Sequence, residues 1–191
     1  MLPGMGDWEE KFIERRQKKF ISLYQGYSAA FKLNREGSGL VYLHFQPTAE
    51  EFGEVALHDK EGNTHSLDLD SVVFILQEKG RLLNELVDEK LAAGDIEGAG
   101  ELFTGLLAYQ VEQYSKGLYD RDYGLIHNFG FIGNRPIHID LGKVTYDEKM
   151  KEPAHQKADL ARVVDRLKKW LVKQHPKDAP KLVENLEQFG S

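Results

Sequence analysis

Residues 117–144 break the helical rhythm of the chain around them. Ahead of them, residues 96–116 place Ala99, Phe103, Leu106, Leu107, Val111 and Tyr114 on one helical face, interrupted by Gln110. Gly117 stands where a helix stops on a left-handed residue. The string DRDYGLIHNFGFIGNRPIHIDLGKV (residues 120–144) then reads as a loop, a strand over 129–132, a tight turn at Gly133-Asn134 and a second strand over 136–139. Two more helices are expected after it, over about 156–173 and 180–189.

Upstream, Asp7 and Glu10 have capping-box spacing. Trp8, Phe12, Phe20, Leu23, Tyr24, Tyr27 and Phe31 then recur as one stripe of a long helix, ended by Gly37 and Gly39. Residues 40–45 read as a strand. Residues 54–58 and 64–69 flank a Gly-containing turn and read as a hairpin. The run SVVFILQ (residues 71–77) reads as a strand buried on both faces. Residues 81–93 are expected to be helical, with Gly94 stopping that helix and Asp95 capping the next. Strands and helices are therefore segregated along the chain, which predicts an α+β fold rather than an alternating parallel sheet.

Composition narrows the function classes. The 191 residues are 41% hydrophobic and 29% charged, enough to bury a sizeable core. With 25 basic and 31 acidic side chains, the net charge of −6 is not the footprint of a nucleic-acid binder. The basic clusters at residues 15–19 and 166–169 interleave with apolar residues and read as solvated helix faces. The absence of cysteine excludes disulfides, thiolate zinc sites and a thiol nucleophile. The seven histidines show no metalloprotease spacing, no serine sits in a nucleophile-elbow context, and Gly37-Ser38-Gly39 is not a phosphate-loop motif. No apolar run reaches the ~20 residues of a membrane span, and residues 1–6 lack a secretory signal, so a cytoplasmic protein is expected.

Phosphoryl transfer is the chemistry for which the remaining polar residues are suited. It needs a divalent cation held by a few hard oxygen ligands, and a carboxylate that orients the attacking hydroxyl and takes its proton. Asp120 and Asp122 follow the helix ending at 116–117, then comes Asn128, then the hairpin, then Ile139-Asp140-Leu141-Gly142. In this order the stretch resembles the protein-kinase-like superfamily. The match at Asp120, Arg121, Asn128, His138, Ile139, Asp140, Gly142 and Lys143 is especially similar to the lipid-kinase branch, and the chain also resembles uncharacterised kinase-like proteins of chlamydia-related bacteria. Asp122 lies six positions before Asn128 and Asp120 lies eight before it, where kinase loops have five.

The resemblance implies a reduced small-lobe-like segment over 7–78 and a helical large-lobe-like segment over 79–191. It implies that Asn128 and Asp140 hold Mg²⁺, that Asp122 or Asp120 acts as the base, and that the hinge backbone at Gln77 and Glu78 reads the adenine of ATP. Residues 1–6 hold neither a Gly-rich loop nor a strand with a phosphate-binding lysine. Two expectations follow. One is an ATP-dependent phosphotransferase core with a nucleotide as its partner. The other is a non-catalytic kinase-like module that binds a protein partner.

Overall fold

The computed structural model of the protein describes residues 5–122 and 124–187, with side chains from Glu10 onward. The first helix already includes Met5, so Asp7 lies inside it and is not its cap; the side chain of Trp8 and the end of the last helix at Phe189 lie outside this description. The chain divides into a unit formed by residues 1–39 and 79–191 and a smaller unit formed by residues 40–78. The first helix therefore clusters with the later helices and not with the strands that follow it. The architecture is mixed α+β, with four separate small sheets among the described residues.

In the smaller unit, β1 (Leu40–His44) pairs antiparallel with β4 (Phe74–Gln77), setting Leu40 opposite Gln77 and His44 opposite Phe74. The hairpin of β2 (Glu54–His58) and β3 (Thr64–Asp68) lies over the residues its turn signals predict. The β4 run is not buried on both faces: the strand begins only at Phe74, and Val73 and Leu76 are exposed. A two-stranded ladder has too few neighbours to cover both faces of a strand. Tyr42, His44, Phe52 and Phe74 form an aromatic cluster with ring centroids 4.7–6.0 Å apart. Asp70 ties the loop before β2. It accepts from Thr48 Oγ1 at 2.5 Å and from the backbone N–H groups of Glu51, Phe52 and Gly53.

The larger unit begins with α1 (Met5–Leu33) and the short α2 (Arg35–Ser38). Asn34 separates them, and Gly39 ends α2 in the left-handed region with φ +62°. After the two-residue β5 (Arg81–Leu82) come α3 (Leu83–Ala92) and α4 (Ile96–Ser115), the latter capped by Asp95, which accepts from Gly98 N at 2.9 Å. The chain continues through β6 (Leu118–Asp120), α5 (Leu125–Asn128), β7 (Phe129–Ile132), β8 (Arg135–His138) and β9 (Val144–Tyr146). A 3₁₀ turn (Glu148–Lys151), α6 (Pro153–Gln174) and α7 (Ala179–Glu187) complete it. The apolar faces of α3, α4, α6 and α7 converge on Leu83, Phe103, Leu106, Leu107, Leu167 and Leu182, all essentially inaccessible to solvent. Each such leucine contributes about 1.5–3 kcal/mol on burial, so this cluster is the support on which the loop region rests. Among the described residues, no helix is long and apolar enough to cross a membrane.

Candidate functional site

Two ladders force the loops of residues 121–128 and 139–143 to face each other. β6 pairs antiparallel with β9, setting Asp120 opposite Val144, and Arg121 N donates to Lys143 O at 3.3 Å. At the far end, β7 pairs with β8, setting Phe129 opposite His138, and Ile139 N donates to Asn128 O at 2.7 Å. Gly117 makes the first of these clamps reachable: its φ is +74°, and a Cβ there would lie 2.8 Å from the Tyr146 ring.

Within this frame Asp120 is 8% exposed. Its Oδ1 accepts from Asp122 N at 2.7 Å, and its Oδ2 lies 3.3 Å from His138 Nε2. At that distance the second contact is longer than a well-formed hydrogen bond. His138 is fully buried and stacks on Phe129, ring centroids 4.1 Å apart. Asp120 thus holds the loop from inside.

Asp122 faces outward. Its Oδ1 accepts from Gly124 N at 3.2 Å, and its Oδ2 accepts from Lys143 Nζ at 2.6 Å. The Lys143 ammonium holds the Asp122 carboxyl below its ordinary pKa, against a smaller opposing effect of burial. Reciprocally, Asp122 raises the lysine pKa, with Asp120 and Asp140 adding to the effect. One ammonium therefore sits in the field of three carboxylates.

Asn128 is also 8% exposed, and its Nδ2 has no hydrogen-bond partner among the described residues. Its amide lies beside Asp122: a Cβ placed on Gly124 would be 3.3 Å from both Asn128 amide atoms and 3.4 Å from Asp122 Oδ1. Asp140 is exposed, and its Oδ1 accepts from Gly142 N at 3.1 Å, which closes the turn that aims it.

Helix α1 presses on this turn. A Cβ on Gly26 would fall inside the Leu141 carbonyl oxygen and 2.9 Å from that of Val144. Ser22 Oγ donates to Gly142 O at 3.2 Å, and Arg121 donates to Ser22 Oγ at 3.3 Å. Burial raises the pKa of the Tyr27 phenol; a hydrogen bond with the Leu141 backbone opposes this and the Asp140 charge adds to it. A cleft of about 630 Å³ opens here, lined by Lys19, Ser22, Leu23, Arg121, Asp140, Gly142 and Lys143.

The structure thus gathers Asp120, Asp122 and Asn128 in one loop and sets the Asp140 turn against it. Gln77 and Glu78 belong to the smaller unit, where Gln77 closes the β1–β4 ladder. Lys19 and Ser22 carried no signal in sequence, because both sit in a helix whose stripe reads as packing. Only the close approach allowed by Gly26 brings them to the site. The expected donor set, Asn128 and Asp140, offers an amide oxygen and a carboxylate, both hard ligands. Among the described residues no three His, Asp or Glu side chains form a metal cage. Mg²⁺ asks for less, since it keeps several waters and takes one or two carboxylates, so this donor chemistry suits it. Comparison with family models, curated proteins and solved structures gives no match.

Proposed function

We propose that the larger unit is a kinase-like phosphotransferase core that binds Mg²⁺-ATP. The observation that carries this reading is the double clamp, Asp120 to Val144 and Asn128 to Ile139, which sets the Asn128 loop against the Asp140 turn. Asn128 and Asp140 would hold the Mg²⁺, which when bound neutralises phosphate charge. Asp122, outward-facing and kept ionised by Lys143, orients an acceptor hydroxyl and takes its proton. Asp120, buried on His138, positions that loop.

Thermal unfolding with and without Mg²⁺-ATP tests it. Ligand at a hundred times its dissociation constant stabilises by ~2.7 kcal/mol, at roughly 2–4 °C per kcal/mol for a chain of this size. Asp140→Asn should abolish the shift. An equal shift in that variant, or none in the folded wild type, overturns the metal assignment. A second reading, a non-catalytic module that docks a protein partner, draws on the exposed apolar side chains Phe12, Ile13, Phe20, Ile21 and Tyr24 of α1. It takes precedence if no nucleotide shift is seen.

A further inference from the structure

The cleft between α1 and the Asp140 turn holds more positive charge than its own carboxylate answers. Three cations line it, Lys19, Arg121 and Lys143, with Asp140 the one carboxylate among its lining residues; Asp122 and Asp120, outside that lining, also act on Lys143. Lys143 is matched by Asp122. Arg121 donates its side chain to the neutral Ser22 hydroxyl. Lys19 is exposed, and among the described residues it makes no ion pair, whereas its neighbour Lys18 is paired with Glu14 at 3.1 Å. Two cations without a carboxylate, converging on one concavity with a serine hydroxyl, form an anion site. Its volume, about 630 Å³, lies in the range of small-molecule sites.

The anion must also suit Asp140, which points a negative charge into the same cleft. A plain monovalent anion would be repelled by it. A polyphosphate that brings a divalent cation satisfies both signs: the metal answers Asp140, and the phosphate oxygens answer the guanidinium and the ammonium. Arg presents a planar fork suited to phosphate oxygens, and Lys adds a mobile point charge.

We propose that Lys19 of α1 and Arg121 of the loop after β6 are the phosphate-binding pair for a metal-bound polyphosphate, with the Ser22 hydroxyl, which donates to Gly142 O, accepting from Arg121 and steadying it beside the cleft. This rests on the phosphotransferase reading for its metal. The geometry that permits it is Gly26 against Leu141, which lets the helix backbone approach the turn closely enough for a side chain two turns earlier to reach the cleft.

Titration calorimetry with Mg²⁺-tripolyphosphate and with Mg²⁺-ATP tests the pair, on wild type and on Lys19→Gln, Arg121→Gln, Lys19→Arg and Asp140→Asn, each checked for an unchanged unfolding transition. Lys18→Gln serves as the charge control. Lys19→Gln and Arg121→Gln should each weaken both ligands by about tenfold, the scale of one charged hydrogen bond, while Lys19→Arg restores binding and Lys18→Gln stays near wild type. Wild-type affinity in both Gln variants, with Asp140→Asn still defective, sinks the phosphate pair and leaves the phosphotransferase reading standing. Tripolyphosphate binding that needs Lys19 and Arg121 but neither Mg²⁺ nor Asp140 upholds the anion site and sinks the metal reading. Equal losses in Lys18→Gln and Lys19→Gln, or no binding of either ligand to wild type, sink the pair.

Discussion

Single carboxylates in this protein do different work according to what surrounds them. Lys143 is exposed and Asp122 partly so, so solvent screens their pair, which adds little to stability and serves mainly to keep Asp122 ionised. Asp70 is buried and accepts from Thr48 and the backbone of Glu51, Phe52 and Gly53, which lowers its pKa from 3.8 to about 2; the Thr48 hydroxyl is the largest cause. Asp59 is lowered similarly by His65 and Asn63, but at an exposed turn. A depressed carboxylate stabilises the fold above its unfolded pKa and loses that contribution as pH falls through the folded value. The smaller unit should therefore lose stability between pH 3.8 and about 2. Hydrogen exchange of residues 40–78 across that window should show faster opening as pH falls, after correction for intrinsic rates. Asp70→Asn should flatten most of that dependence, and Lys143→Met should leave it unchanged. Equal sensitivity in the Asp70 variant would place the acid switch elsewhere.

At the scale of elements, α1 is where local propensity and tertiary packing disagree. Replacing a helix-interior glycine by alanine stabilises an open helix by ~1 kcal/mol. At Gly26 the new methyl would meet the Leu141 and Val144 carbonyl oxygens, which are backbone and cannot swing aside. Overpacking of this kind costs about 1–3 kcal/mol, so the clash wins. Gly26→Ala should lower the unfolding midpoint and also weaken any Mg²⁺-ATP response, because it displaces the turn that carries Asp140. Denaturant melts and nucleotide titration of the same variant check both effects. A stabilised variant would show that α1 does not bear on the turn. The short elements explain what the sequence concealed. The strands Leu118–Asp120 and Val144–Tyr146 span three residues each, too few to display a period of two, yet their ladder is half of the clamp. The hairpin of Phe129–Ile132 and Arg135–His138 was legible because Gly133 and Asn134 announce its turn.

Over the whole molecule, the long helices and the hairpin of Glu54–His58 with Thr64–Asp68 were legible from periodicity and turn residues. The alternatives for the base, Asp120 and Asp122, were not separable by spacing. They differ because Asp120 points to buried His138 and Asp122 to exposed Lys143, a distinction of tertiary contact. The apolar run at residues 71–77 misled for the opposite reason: hydrophobicity signals burial only where enough structure stacks on the strand. In the proposed site, Asp122, residues 124–128 and residues 139–143 surround one cation. Paramagnetic broadening by Mn²⁺ in the presence of ATP, read on the amide resonances of labelled protein, measures that directly. The prediction is that the amides of Gly124, Asn128, Asp140 and Gly142 broaden together at substoichiometric Mn²⁺, and that Asp140→Asn removes the effect at all four. Broadening confined to one of the two loops, or scattered over unrelated acidic surfaces, would contradict it.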